Sequence, residues 1–120
     1  MGRQPQEIPA ELADQLDETV QRVLAHPSRR QILRMLTGAQ SEMSAVELDL
    51  TTGPFCSLSC TAYHARQLKE AGLATWVDGE GAAASSTYRY SSLIGDNRSV
   101  LAVLQATEKS DREHLTAATP

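Results

Sequence analysis

The sequence predicts a mainly α-helical fold that carries one small β-hairpin. Three observations lead there. Apolar residues recur at intervals of three and four in successive stretches interrupted by Pro or Gly, the pattern of amphipathic helices. The stretch from Ser57 to Leu73 has a capping residue at each end. After it, two runs of strand-forming residues flank a segment rich in Gly and Ala.

From Pro9 to Ala25 the pattern is helical, with Leu12, Leu16, Val20, Val23 and Leu24 on one side and Glu11, Asp14, Asp17 and Gln21 on the other. Pro9 suits a first helical turn, and His26-Pro27 breaks the pattern. Ser28-Arg29-Arg30-Gln31 then has capping-box spacing and opens a helix whose stripe is Ile32, Leu33, Met35 and Leu36, with Gly38 as its stop. A second box, Ser44-Ala45-Val46-Glu47, opens a short helix carrying Val46, Leu48 and Leu50, ended by the turn formers Thr51, Thr52, Gly53 and Pro54.

Ser57 next caps a helix that Gly72 ends. Within it Thr61, Ala65 and Leu68 share an inward stripe, which turns Ser59, Cys60, Tyr63, Arg66 and Gln67 outward. Two helices joined by a turn make a helix-turn-helix, whose second member enters the DNA major groove. Leu73 to Val77 and Thr87 to Ser91 read as strands, with a hairpin tip over 78–86 that holds Asp78 and Glu80. A hairpin directly after such a helix is a wing, so the expected architecture is a winged helix-turn-helix. Asp96 is read as the cap of a last helix that runs to about Leu115 and bears Val100, Leu101, Val103 and Leu104.

Composition sets the bounds. At 120 residues the chain is read as a single domain, 1–120. The terminal helices, 9–25 and 96–115, carry more apolar surface than a small core covers, so they are expected to pair two copies across a two-fold axis; packing onto their own core is the other reading. Fifteen acidic against eleven basic residues give a net charge of −4, which excludes indiscriminate binding to polyanions. Placement softens the objection: Asp14, Asp17, Glu18, Glu108, Asp111 and Glu113 lie toward the ends, and Arg29, Arg30, Arg34, Arg66 and Lys69 lie centrally. With no apolar leader and no long apolar run, the expected location is the cytoplasm, with no membrane partner. Two cysteines four residues apart are then free thiols, and Asn97-Arg98-Ser99 is an accidental glycosylation match.

Three segments in order resemble the ArsR/SmtB-type winged-helix repressors: His26 to Leu36, then Tyr63-His64 with Leu68 to Leu73, then Tyr88-Arg89-Tyr90. The likeness covers roughly residues 18 to 92. It implies a homodimeric repressor of transcription whose helices read successive major grooves of an imperfect palindrome. It matches Ser57 to the family's cap, Ser59 to Tyr63 to the groove-facing start of the helix, and His64 to the His before the buried leucines. Ala62 stands where the family has Ser, the Gly53-Pro54-Phe55 turn is about two residues longer, and no Arg or Lys marks the wing tip. The family's cysteine metal motif is absent, since the matching stretch reads Val46-Glu47-Leu48-Asp49-Leu50.

The expected DNA-contacting residues are Ser57, Ser59, Cys60, Tyr63, His64, Arg66, Gln67, Lys69 and Arg89. Arg29 and Arg30, at a helix start, read equally as phosphate contacts or as solvated charges. His64 reads also as a packed histidine. Cys56 and Cys60 are spaced to hold a soft metal between them, or serve as small hydrophobes, since no third thiol completes a site. Asp111 and His114 start a carboxylate and imidazole pair, against which stands the reading of solvated side chains. A cysteine enzyme using Cys60 with His64 lacks a pocket and an oxyanion donor, so no enzymatic activity and no cofactor are expected, and the effector is not specified. The rival to a DNA-binding regulator is a winged-helix module that binds protein, favoured by the acidic net charge and acidic hairpin tip.

Overall fold

The computed structural model describes residues 8–39, 42–44, 47–48, 58–77 and 89–117, the side chains of 58, 59, 77 and 114–117 apart. These residues form a mainly helical fold with one small antiparallel sheet. The first apolar stretch, expected as one helix over 9–25, is divided into α1 (Ala10–Ala13) and α2 (Glu18–Val23). Asp17 is the reason. Its carboxylate accepts from the Val20 N–H at 2.9 Å and so starts a new helix where periodicity alone would run on. The Gln21 amide bridges the break, donating to the carbonyls of Ala13 at 2.7 Å and Leu16 at 3.0 Å.

Helix α3 (Pro27–Gly38) begins ahead of the Ser28 cap that the sequence suggested. His26 is extended, as a residue before proline prefers, and Pro27 fills the first helical position. Strand β1 (Met43–Ser44) and a helical turn at 47–48 come next. The capping box forms as expected, with the Ser44 N–H donating to Glu47 Oε1 at 2.8 Å and the Glu47 N–H to Ser44 Oγ at 3.3 Å. The first of these bonds holds the Glu47 carboxyl below its ordinary range. Leu48 is buried beside it; Val46, Leu50 and the Gly53-Pro54-Phe55 turn lie outside the described residues.

Helix α4 (Leu58–Glu70) ends as its glycine foretells. Gly72 has φ +81°, its N–H donates to the Lys69 carbonyl at 3.1 Å, and the Leu73 N–H reaches back to the Leu68 carbonyl at 3.0 Å. Strands β2 (Ala74–Val77) and β3 (Arg89–Ser92) pair antiparallel with Trp76 opposite Tyr90. On the other edge of β3, β1 places Met43 opposite Tyr90, so the sheet order is β1-β3-β2. The hairpin tip, 78–86, lies outside the described residues. Helix α5 (Arg98–Ala117) is capped by Asn97 rather than Asp96, with the Val100 N–H donating to Asn97 Oδ1 at 3.2 Å.

Helix α3 packs against α4, α5 and β3. Ile32 and Leu33 of α3, Leu68 of α4, Tyr90 of β3 and Val103 of α5 are fully buried around it. Each aliphatic side chain so placed contributes about 1.5–3 kcal/mol. Leu16, Val23, Leu24, Val100, Val103 and Leu104 of the terminal helical regions are buried within the single chain, whereas Ile8, Leu12, Val20 and Leu101 are only partly covered.

Charge also closes the seam between α3 and α5. Arg30 and Asp111 are both 0% exposed. Arg30 Nε donates to Asp111 Oδ2 at 2.7 Å, Nη2 to Oδ1, and Nη1 to the Leu24 carbonyl at 2.7 Å. Arg34 Nη2 adds bonds to Asp111 Oδ2 and Thr107 Oγ1, each at 2.8 Å. A fork-to-carboxylate pair of this kind is among the stronger polar contacts, and removing either partner strands a buried charge. Asp111 is therefore not a solvated acid; the side chain of His114, the other member of the expected pair, lies outside the described part. No described helix is long and apolar enough to cross a membrane.

Candidate nucleic-acid interface

Spacing divides α4 into two faces, and packing fixes which is which. Thr61, Ala65 and Leu68 are each 0% exposed and hold the helix to the core. Opposite them Tyr63 is 51% exposed and Arg66 is exposed, with Cys60, His64, Gln67 and Lys69 half-buried along the flanks. Ser59 belongs to the helix but its side chain is not described, and Ser57 and Cys56 lie outside the described residues. A phenol, a guanidinium and an amide on one exposed strip offer the donors and acceptors that base edges and phosphates take up.

The central cations do not act as one patch. Arg30 and Arg34 turn away from α4 and are consumed by Asp111, which corrects the reading of Arg30 as a phosphate contact. The reason is helical geometry, since consecutive residues point about 100° apart and only one of Arg29 and Arg30 can face α4. Lys69 Nζ sits 4.6 Å from the Trp76 ring centroid, a cation–π contact that ties α4 to β2. Arg89 Nη2 donates to the Glu42 carbonyl, and carboxylate oxygens of Glu47 and Glu42 lie 3.4 and 3.9 Å from its guanidinium. Among the described residues no carboxylate pairs with Arg66.

Arg29 faces α4. Its Nε–H donates to His64 Nδ1 at 3.0 Å, and its guanidinium carbon lies 5.7 Å from the centroid of the Tyr63 ring. His64 is flanked by the rings of Tyr63 at 5.6 Å and His26 at 5.9 Å. Burial, the Arg29 charge and His26 together lower the His64 imidazole to about 4, so at neutral pH it is uncharged and its Nδ1 lone pair accepts. His26 is lowered too, by desolvation first and then by Arg29 and Arg30. Desolvation also lowers the Arg29 guanidinium from its ordinary value.

The bond between Arg29 and His64 spans 35 positions of sequence, and no local pattern announces it. Asp111 did leave a signal: it sits seven positions after Leu104, so it falls on the apolar stripe of α5, where an acid needs a partner. Among the described residues no three His, Cys, Asp or Glu side chains gather as a metal site. No protein-family model matches the chain, and neither a curated protein nor a solved structure does so.

Proposed function

We propose that this chain is a DNA-binding regulator of transcription, a winged helix-turn-helix repressor that occupies a palindromic operator as a cytoplasmic homodimer. One observation carries the reading. Helix α4 is anchored by Thr61, Ala65 and Leu68 while Tyr63, Arg66 and Gln67 stand outward, the arrangement a helix needs to enter a major groove without unpacking. In this reading the turn at 47–48 starts the bracing helix and β2 with β3 form the wing. The resemblance of residues 18 to 92 to ArsR/SmtB-type repressors supports it. The partly covered Ile8, Leu12, Val20 and Leu101 are the surface offered to a second copy.

Selection of duplexes from a random pool, followed by footprinting, tests the proposal. A two-fold symmetric site protected at two half-sites about one helical turn apart supports it. Failure to enrich any duplex at low salt refutes it. The second reading, a winged-helix module that binds protein, draws on Arg89, whose charge is matched by Glu42 and Glu47 rather than offered to phosphate, and on the net charge of −4. Under that reading the α4 face captures a protein partner and no duplex is preferred.

A further inference from the structure

Arg29 holds a positive charge just beneath the surface with no described carboxylate against it. The residue is 7% exposed, and the groups it meets are an imidazole, with Nε–H donating to His64 Nδ1 at 3.0 Å, and the phenol of Tyr63, which hydrogen-bonds to the guanidinium and has its ring 5.7 Å from it. No described carboxylate lies within ion-pair reach, although the next residue, Arg30, is answered by Asp111. Burying a cation without a counter-charge is unfavourable, and a guanidinium has five N–H donors, more than its bonds to His64 and Tyr63 use. The fork sits beside the half-exposed Tyr63, on the same side of the fold as the outer face of α4.

The local backbone has the same sign. Helix α3 starts at Pro27 with no side-chain cap from His26, so the N–H groups of Ser28 and Arg29 stand at the positive end of a twelve-residue helix. A planar fork beside uncapped N–H groups suits a tetrahedral oxyanion, which accepts from several donors at once. The neutral His64 ring serves as a positioning group: by accepting from Nε it fixes the plane of the guanidinium.

We infer that Arg29, oriented by His64, is a phosphate-binding group that takes a backbone phosphate of the nucleic acid lying along α4. The inference rests on the reading of α4 as a DNA-facing helix, and it adds to that face a contact supplied by α3.

Two measurements on the full-length protein test it separately from that reading. In the first, inorganic phosphate is titrated into labelled protein at constant ionic strength, with chloride as the control, and the Arg29 Nε–H and the amides of Ser28 and Arg29 are followed by NMR. Saturable shifts in the wild type that disappear in Arg29→Gln are expected; their absence from the wild type overturns the inference whether or not the protein binds DNA. In the second, duplex affinity is measured against salt. Arg29→Gln is expected to weaken binding about tenfold on every duplex and to reduce the log–log salt slope by about one, while Arg29→Lys keeps the slope. An unchanged slope in Arg29→Gln overturns the assignment.

His64 has its own signature. His64→Leu is expected to weaken binding as Arg29→Gln does, with no further loss in the double variant, whereas His64→Asn, which keeps an acceptor near Nδ1, restores it. Additive losses overturn the positioning role. Should the wild type show the phosphate shifts yet bind no duplex, the backbone as the source of the phosphate is refuted together with the reading of α4. Melting curves accompany each variant, and if Arg29→Gln does not fold, the wild-type phosphate titration and Arg29→Lys decide.

Discussion

Arg29 and Arg30 are neighbours on one helical turn, yet they face different helices. Arg30 points to α5, where Asp111 meets it with two hydrogen bonds in a site closed to solvent. Arg29 points to α4, where it meets an uncharged imidazole and an uncharged phenol. The first cation is satisfied by the fold itself and its role ends with holding two helices together. The second is oriented by His64 and Tyr63 and meets no described carboxylate. What separates the two charges is the identity of the partner, since both arginines are buried to a similar degree.

The contrast breaks most visibly on the α5 side. Replacing Asp111 with Ala leaves Arg30 buried without its carboxylate and is expected to lower stability by about 3–5 kcal/mol in denaturant melts. Wild-type stability in that variant would mean that the seam between α3 and α5 is held by apolar packing alone. Arg29→Gln is the counterpart. It removes a charge that no described carboxylate neutralises, so stability is expected to stay within about 1 kcal/mol of the wild type while duplex affinity falls about tenfold.

Acid distinguishes the two sides next. The His64 imidazole lies at about 4 in the folded chain against an ordinary 6.5, so between those values the unfolded chain binds the extra proton and the folded chain does not. Stability is therefore lost as pH falls from about 6.5 toward 4, by about 1 kcal/mol once the partial exposure of the ring is discounted. His64→Asn flattens that part of the pH profile; a profile of unchanged steepness would show that other groups cause it. The smallest expected effect is that of Arg66→Ala, which is exposed and ought to leave stability within about 0.5 kcal/mol while reducing the salt slope of duplex binding by about one.

Much of the helical framework was legible because it is written in short-range rules. The inward stripe of Thr61, Ala65 and Leu68 follows from spacing alone, the Gly72 ending from its tolerance of positive φ, and the Ser44 and Glu47 box from two residues three apart. Where a short-range rule had a rival, spacing misled. Asp17 looked like one more polar residue on a solvent face, but its carboxylate caps a second helix and divides the first. Asn97 outcompeted its neighbour Asp96 as the cap of α5. Strand β1 is two residues long, too short for any alternation to reveal it, and only its pairing with β3 defines it.

The candidate site was legible to the same extent. The outward placement of Tyr63 and Arg66 came from helical periodicity, whereas the fates of Arg29, Arg30, Lys69 and Arg89 depend on partners 81 positions away at the extreme, as in the bond from Arg30 to Asp111. Counting cations along the chain suggested a basic cluster; long-range pairing redistributes that charge, and of the cluster's arginines Arg66 and Arg29 are the ones that no described carboxylate meets.

The most direct test of the central claim is to map where a duplex touches the protein. Amide and side-chain NMR shifts of the full-length chain, recorded on adding a duplex obtained by selection, are expected to concentrate on α4 from Tyr63 to Gln67 and on the start of α3 at Ser28 and Arg29. Shifts confined to α5 and the opposite face, or none at low salt, would contradict the assignment of α4 as the surface that reads DNA.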